Sequence, residues 1–356
     1  MRTDVIVVGG GGCGLAAAAQ LGRGGARVLV LDRDEAERNR RAPEGGLLLP
    51  GTPDGPSRLR ASLGEERAAS IETVAERGRS HLLACGRAVE GTILLVPYNT
   101  VERDELPAAL HPYGASPAGS RWPAGTMSVP SGWVEPADTL DALAGAARAA
   151  GAVLRGGVEV RRIDATPDGC RVAGADGGIL ESETVLLAAG LGARPLSGAA
   201  SAHLYPCRGQ ACDAPPGLGR VQPLGAVRRW GHEEYRFLPD RTTLLAWNPQ
   251  TRGEDVVEAP AYAEAFERHA IASASEWLGP LRPPSARSRR AAAFAWPRDG
   301  LPLAGPESGN ARVWIAAGFM SRSLTFGVGC GLAVADAILG RRDALPPVLA
   351  PRRVEA

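Results

Sequence analysis

The chain has 356 residues, of which 44% are hydrophobic and 22% charged, a composition typical of a globular protein large enough for two closely packed domains. Its 40 basic and 39 acidic residues give a net charge of +1, which argues against nucleic acid or an anionic membrane as a partner. No apolar run reaches membrane-spanning length, no signal peptide precedes the first predicted strand, and no two Cys form a CxxC pair, so we expect a cytoplasmic protein with reduced thiols.

The first predicted elements form a strand, a glycine-rich turn, a helix and a second strand. A β-branched run at residues 4–8 predicts a buried parallel strand, and the glycine cluster at residues 9–14 follows it. An Ala-rich helix begins at Leu15, and residues 27–31 are predicted as the second strand, which ends at Asp32.

The glycines of this unit have the spacing of a dinucleotide-binding turn. Gly9 permits the tight turn, Gly11 lets the backbone approach a pyrophosphate, and Gly14 lets the helix pack closely on the strand. Asp32 can accept hydrogen bonds from ribose hydroxyls, and its charge argues against the 2′-phosphate of NADP. The motif alone is compatible with FAD and with NAD.

Helices and strands continue along the rest of the chain. Further helices are predicted at residues 57–87, 136–150, 261–277 and 327–339. Further strands are predicted at residues 92–96, 156–163, 171–173, 183–189, 234–238, 242–246 and 313–316. Residues 97–129 are rich in Pro, Gly and Ser and predict an insertion over the active site, and residues 346–356 a loose tail.

Strand and helix segments next to glycines occur at both ends of the chain, which predicts one discontinuous domain with a second domain inserted in it. The expected class is α/β, a Rossmann-type domain plus a substrate domain with a mixed or antiparallel sheet. We expect the dinucleotide-binding domain to comprise residues 1–90, 136–200 and 290–345. We expect the substrate domain to comprise residues 91–135 and 201–289.

Five further motifs stand in a fixed order along the chain. They are VEP at residues 134–136, TVLLAAGLG at 184–192, PCRGQ at 206–210, DGLPLAGP at 299–306, and AGF followed by SLT at 317–325. Together they resemble motifs of the D-amino-acid-oxidase-like family of FAD-dependent oxidoreductases, which includes glycine oxidase and sarcosine oxidase. The resemblance extends from Asp4 to about Leu339.

The resemblance implies a noncovalently bound FAD and a sheet domain that roofs its isoalloxazine ring. It implies oxidation of a C–N bond in a small amine, imine or amino-acid-like substrate by hydride transfer to the flavin, with molecular oxygen reoxidising it to release H2O2. A homodimer is left open, and no metal is expected. The residues expected to contact FAD are Gly9, Gly11, Gly12, Cys13, Gly14, Asp32, Arg33, Arg40, Gly46, Val160, Ala189, Gly190, Gly318, Arg322, Ser323, Leu324 and Thr325.

Three departures from the family pattern bear on the substrate and on oxygen. The Arg that binds the substrate carboxylate in amino-acid-oxidising relatives is expected in residues 292–299, where the corresponding position is apolar. No Cys lies between Cys212 and Cys330, which argues against the covalent flavin attachment of sarcosine-oxidase-like members. The Lys with which those members activate oxygen is missing, because the chain contains no Lys at all.

Arg322, Tyr235 and Arg298 are the predicted catalytic residues. Arg322 lies where the last motif should pass the isoalloxazine, and its guanidinium could bind a carboxylate or stabilise reduced flavin. Tyr235 and its neighbour Arg236 lie on the strand predicted to roof the ring. The alternative for Arg322 and Arg298 is a solvated surface position, and for Tyr235 a packing role in the core.

Three functions are compatible with these observations. The first is an FAD-dependent amine or amino-acid oxidase. The second is an FAD-dependent dehydrogenase that acts on a C–N or C–O bond and uses another electron acceptor, which the missing Lys favours. The third is a flavin-binding subunit that needs a partner chain, which the missing carboxylate-binding Arg favours.

Overall fold

A computed structural model of the chain describes residues 3–35, 46–52, 55–85, 87–215, 223–228, 233–238, 241–248, 261–282, 288–341 and 344–354. Helices within these residues are α1 (Gly12–Arg23), α2 (Pro56–Leu63), α3 (Glu65–Ala84), α4 (Thr100–Leu110), α5 (Pro136–Ala149), α6 (Gly198–His203), α7 (Glu264–Leu278) and α8 (Thr325–Ile338).

The strands of the same residues form two eight-stranded sheets. They are β1 (Thr3–Val8), β2 (Val28–Leu31), β3 (Val89–Val96), β4 (Ser116–Pro117), β5 (Met127–Trp133), β6 (Val153–Arg155), β7 (Val160–Thr166), β8 (Gly169–Gly174), β9 (Ile179–Leu187), β10 (Leu204–Ala214), β11 (Gly225–Arg228), β12 (Glu233–Phe237), β13 (Thr242–Asn248), β14 (Arg290–Pro297), β15 (Leu303–Glu307) and β16 (Asn310–Ala317). The predicted α/β class is confirmed.

The first sheet has the order β15-β16-β9-β1-β2-β6, and the hairpin β7–β8 joins it at β9. β1 lies between β2 and β9 and runs parallel to both. Its side chains alternate between two cores: Val5 and Val7 pack on the side of α1 and α8, and Ile6 and Val8 on the other side. A strand that is buried on both faces has a continuous run of apolar residues, which is why β1 could be predicted from the sequence.

Helix α8 packs against α1 and α3 through glycines. A Cβ at Gly329 would lie 2.0 Å from the carbonyl oxygen of Val74 in α3. A Cβ at Gly331 would lie 2.3 Å from the carbonyl oxygen of Cys13 in α1. The distance between packed helices depends on the side chains at the contact, so these glycines let three helices approach closely on one face of the sheet.

The second sheet has the order β14-β10-β13-β12-β11-β3-β5-β4. One face packs on α7, where Cys212, Tyr235 and Leu244 meet Ala270 and Ala274. The opposite face turns toward the first domain. The expected domain division assigns residues 290–345 to the dinucleotide-binding domain, but β14 pairs along its whole length with β10 in the second sheet.

Two segments were predicted to lie outside the core, residues 97–129 as an insertion over the active site and residues 346–356 as a loose tail. Residues 97–129 contain α4, β4 and the start of β5, and Leu106, Leu110 and Met127 belong to one apolar core. The C-terminal tail was expected to be loose, and this expectation is wrong for residues 346–354, because Leu349 and Pro351 are buried against the first domain. No helix among the described residues is both long enough and apolar enough to cross a bilayer.

Candidate flavin and substrate site

The turn between β1 and α1 needs glycine for two different reasons. Gly9 has φ +116°, and a Cβ there would lie 2.3 Å from the carbonyl oxygen of Ala188. A Cβ at Gly14 would lie 2.0 Å from the carbonyl oxygen of Gly9, so the fold itself requires both residues. Gly11 differs, because a Cβ there would meet no protein atom within 4 Å. Gly11 lines a cavity, so its requirement would come from a ligand rather than from the fold.

Helix α1 begins at this turn with Gly11 as its N-cap, and no side chain caps it. Its first turn contains no acidic residue. The unsatisfied N–H groups and the positive end of the helix dipole therefore point to an anion, as in other dinucleotide-binding turns.

Asp32 connects the end of β2 to the glycine turn. Its Oδ2 accepts a hydrogen bond from the backbone N–H of Gly10 at 2.5 Å, and its Oδ1 accepts one from Asp34 at 2.8 Å. A Cβ at Gly10 would lie 2.9 Å from the same Oδ2. Asp32 thus holds the turn in place and also lines the cavity, where it can meet ribose hydroxyls.

The cavity has a volume of about 680 Å³, within the range of small-molecule sites. It lies at the carboxyl end of the parallel strands, where open α/β sheets bind their ligands. Many of the residues predicted to contact FAD line it, namely Gly9, Gly11, Gly12, Cys13, Asp32, Arg33, Val160, Ala189, Gly190, Ser323 and Leu324.

The other predicted FAD contacts lie outside this lining. Gly14 and Gly46 serve close backbone packing, since a Cβ at Gly46 would lie 2.1 Å from the carbonyl oxygen of Val134. Gly318 has φ +91° and packs on Leu204. Thr325 begins α8 and is buried, Arg322 is described below, and Arg40 lies outside the described residues.

Arg194 lines the cavity and was not among the predicted contacts. It lies in a short 3-10 helix, Gly190–Leu196, that continues from the end of β9. Its Nε is buried and has no hydrogen-bond partner among the described residues. The only sequence signal was its position just after the TVLLAAGLG motif. A polar ligand would satisfy this donor, which together with the open space at Gly11 and the uncapped α1 fits a dinucleotide.

Arg322 ends a short 3-10 helix, Met320–Arg322, just before α8. Its Nη1 lies 3.4 Å from Oε1 of Glu234 on β12, and both side chains are only 4% exposed. Burial lowers the pKa of Arg322 to about 10, and the charge of Glu234 opposes this shift. Arg322 therefore stays charged at neutral pH, and its ion pair connects the first domain to the second sheet.

Arg236 forms a second connection two residues along the same face of β12. Its Nη2 donates a hydrogen bond to Oε2 of Glu135 at 2.8 Å, and its guanidinium carbon lies 3.8 Å from the ring centroid of Trp133. Glu135 directly precedes Pro136, which lines the cavity. Both charged residues on this face of β12 are thus neutralised across the domain interface.

Tyr235 points to the opposite face of β12. Its hydroxyl donates to Oε2 of Glu233 at 2.8 Å, and its ring packs edge-on against Trp277 of α7 at 5.0 Å. Burial raises the pKa of Tyr235 well above its usual range. Arg298 follows β14 with an exposed side chain. Of the three predicted catalytic residues, only Arg322 lies at the interface between the two sheets.

Fold and cavity together have the form of a dinucleotide-binding protein with a Rossmann-type turn. The family model of FAD-dependent oxidoreductases matches residues 4–337, and the chain belongs to this family. FAD is therefore its cofactor, and the predicted assignment to this family is confirmed.

Several solved structures share the fold over nearly all of both chains. Glycine oxidase from Geobacillus kaustophilus is 21% identical, with a TM-score of 0.77 and coverage of 98% of each chain. Iminodiacetate oxidase from Chelativorans is 18% identical, with a TM-score of 0.73 and coverage of 98% of each chain. L-proline dehydrogenase from P. horikoshii is 17% identical, with a TM-score of 0.73 and coverage of 99% of this chain and 98% of that one.

Proposed function

We propose that this enzyme oxidises a C–N bond in a small amine, imine or amino-acid-like substrate and that molecular oxygen takes up the electrons. The observation that carries the proposal is the buried ion pair at the domain interface, where Glu234 of β12 meets Arg322, the residue directly before Ser323 in the lining of the cavity. Three similar structures are named for the oxidation of glycine, iminodiacetate and L-proline, and all three compounds contain an amine nitrogen.

The chain's own residues would hold FAD along the cavity. The pyrophosphate would lie at the first turn of α1, in the open space at Gly11. Asp32 would accept hydrogen bonds from the ribose hydroxyls, and Arg194 would donate a hydrogen bond to a polar group of the cofactor. When bound, FAD supplies the acceptor for a hydride, the two electrons and one proton that the substrate carbon loses. Oxygen then takes two electrons and two protons to become H2O2.

The interface above this site is buried and apolar. Cys207, Ala211, Trp296 and Met320 form a buried apolar cluster between the second sheet and the segment that ends at Arg322. Such an environment strengthens the charges of Arg322 and Glu234 because water does not screen them. The substrate amine would bind in its neutral form, so that the chemistry needs no Lys base, which the chain lacks.

Arg322 stays in the proposed catalytic set, and Tyr235 and Arg298 do not. Tyr235 would act indirectly, because its contact with Trp277 and the hydrogen bond that Ser273 donates to Glu233 hold β12 on α7. Arg298 is exposed and therefore makes a poor site for a charge that must act on substrate.

A dehydrogenase that uses another electron acceptor is the second candidate. The absence of any Lys favours it, because a Lys near the flavin activates oxygen in the sarcosine-oxidase-like members that the motifs resemble. One similar structure is also named as a dehydrogenase.

A panel of primary and secondary amines and amino acids tests both candidates. The FAD-loaded enzyme is assayed in air for peroxide and, without oxygen, for reduction of a dye. Peroxide formation supports the oxidase, and turnover with the dye alone supports the dehydrogenase. If the protein binds FAD but oxidises no compound under either condition, both candidates are contradicted. The remaining interpretation is a flavin-binding subunit that needs a partner chain.

A further inference from the structure

Met320 has a backbone conformation that its residue type rarely adopts. Its φ is +54°, and within the part of the chain that the structure describes it is the one residue other than glycine with a positive φ. The backbone N–H of Arg322 donates to the carbonyl oxygen of Phe319 at 2.9 Å, which makes Met320 the second residue of a tight turn. Turns with a positive φ at this position usually have Gly, Asn or Asp there, because a larger side chain is strained.

The side chain of Met320 offers a reason for this strain. It is 2% exposed and belongs to a buried apolar cluster with Cys207, Ala211 and Trp296. These three partners lie on β10 and β14 of the second sheet, whereas the turn at residues 319–322 connects β16 to α8 in the first domain. A strained residue persists only where its surroundings hold it, and here the second sheet holds Met320. Glycine would relieve the strain but would lose this contact.

The neighbours of Met320 in the turn belong to the proposed reaction site. Phe319, directly before it, lines the FAD cavity, as does Ser323 at the end of the turn. Arg322, two residues after Met320, forms the buried ion pair with Glu234. A shift of the turn would therefore move a wall of the cofactor cavity and the guanidinium together.

We propose that Met320 is a positioning residue, whose side chain packs on the second sheet and thereby holds the turn at residues 319–322 in place. Phe319 then stays in the wall of the FAD cavity, and Arg322 stays at the domain interface. This inference rests on the proposed role of Arg322 in the oxidation of a C–N bond and adds the residue that fixes the position of Arg322. Met320 acts through Arg322 and takes no part in the chemistry.

The reduction potential of bound FAD tests this role without any substrate. Arg322→Gln should lower the potential, because a cation beside the flavin favours its negatively charged reduced form. Met320→Gly should lower it in the same direction by at least about 30 mV, which for two electrons corresponds to a tenfold change. Met320→Leu keeps the apolar volume and should stay within about 10 mV of wild type, about a twofold change. An unchanged potential in Met320→Gly would overturn the proposal.

A double variant shows whether Met320 acts through Arg322. The potential of Met320→Gly with Arg322→Gln should equal that of Arg322→Gln alone, since an arginine that is absent cannot be displaced. The rate of flavin reduction by a compound from the amine panel should follow the same pattern, with a loss of at least about tenfold in Met320→Gly. Potential shifts that add in the double variant would mean that Met320 acts independently of Arg322, which contradicts the proposal.

Met127 is the matched control. It is 5% exposed and lies in another apolar core of the second sheet, but on the extended strand β5. Met127→Gly removes the same side chain from a site outside the turn, so the potential of bound FAD should stay within about 10 mV of wild type, about a twofold change. An equal shift in Met127→Gly and Met320→Gly would show a general effect of lost packing and would overturn the role of Met320.

Melting temperatures of the cofactor-free variants test the backbone strain separately. At Met320 the Gly variant should melt above the Ala variant, because only glycine adopts a positive φ without strain. At Met127 the order should reverse, since glycine destabilises a strand relative to alanine. A Gly variant of Met320 that melts below the Ala variant would contradict the strain on which the proposal depends.

Two further outcomes are decided in advance. If Met320→Gly does not fold, Met320→Ala is measured in its place against the same limits for the potential. The potential needs no substrate, so a wild-type protein that oxidises no amine would contradict the proposed function alone, while the potentials would still support or overturn the role of Met320.

Discussion

Arg353, near the C-terminus, donates from Nε to Oδ2 of Asp299 at 2.9 Å, although the two residues lie in segments that sequence patterns do not connect. Asp299 also accepts from the backbone N–H of Leu301 at 2.8 Å, within the DGLPLAGP motif. Arg353 in turn donates to the carbonyl oxygen of Pro302 at 3.0 Å. The C-terminal segment therefore stabilises the turn at residues 299–302 that leads into β15.

Asp299→Asn should lower the free energy of unfolding by about 1 kcal/mol at pH 7. Contacts with His203 and Arg353 hold the pKa of Asp299 below its usual range, against the opposing effect of burial. A carboxylate with a lowered folded-state pKa stabilises the protein above its unfolded-state pKa, about 3.9, and loses this contribution as the pH falls below it. The difference between variant and wild type should therefore shrink as the pH falls below about 4.

Urea unfolding at pH 7, 4, 3 and 2.5 measures this effect. Asp104→Asn is the control, since Asp104 forms an exposed ion pair with Arg103. It should change the unfolding free energy little at any pH. A loss in Asp299→Asn that stays constant down to pH 2.5 would show that the charge of Asp299 contributes nothing.

The N-terminal unit could be predicted because its signals are local. A strand buried on both faces, a glycine turn and an Ala-rich helix all lie within about thirty residues, and their periods are visible without tertiary context. The order of the C-terminal tail could not be predicted in this way. It depends on Arg353 meeting Asp299, and neither residue stands in a pattern that points to the other.

Which side chains of β12 face α7 could not be predicted from the sequence either. Alternation in a strand separates Tyr235 from Glu234 and Arg236, but which set faces α7 is decided by packing. The sequence analysis put Tyr235 and Arg236 on the strand that roofs the ring, and of the two only Arg236 faces the first domain. β14 was missed because its residues 291–293 are all Ala, which shows no alternation of apolar and polar residues.

Gly11→Val should abolish FAD binding and leave the protein folded. A Cβ at this position has no protein atom within 4 Å, so the fold leaves room there, but a Val side chain would occupy the space where the pyrophosphate must lie. Flavin content after purification and the melting temperature of the cofactor-free protein measure the two effects separately.

Two other glycines serve as controls for this variant. Gly145→Val in α5 is exposed and also has open space at its Cβ, so it should keep its FAD. Gly14→Val should prevent folding, since its Cβ would lie 2.0 Å from the backbone of Gly9. Normal flavin content in Gly11→Val would refute the assignment of this turn to the cofactor.

Asp32→Ala should weaken FAD binding about tenfold or more. The change removes one or two charge-assisted hydrogen bonds to the ribose, each worth roughly 1.5–3 kcal/mol, and it releases the backbone N–H of Gly10. Fluorescence titration of the cofactor-free protein with FAD gives the dissociation constant. Asp34, two residues further on, also lines the cavity, so Asp34→Ala tests whether any loss of charge at this end of the cavity has the same effect; we expect a smaller change in FAD affinity there.

Arg322→Gln should slow the reduction of bound flavin by substrate by about 30- to 1000-fold, since a charge-assisted contact made in the transition state contributes about 2–4 kcal/mol. FAD content should hardly change, because the glycine turn and Asp32 lie in another part of the site. The variant also removes the charge of Arg322 from beside the buried Glu234, which is expected to lower stability.

A double variant separates the two consequences of losing Arg322. In Arg322→Gln with Glu234→Gln, neutral amides replace the ion pair, so the melting temperature should recover while the rate of flavin reduction stays low. Stopped-flow measurement without oxygen gives this rate for each protein. If the double variant reduces its flavin within about threefold of wild type, the Arg322–Glu234 pair connects the two sheets and takes no part in the chemistry.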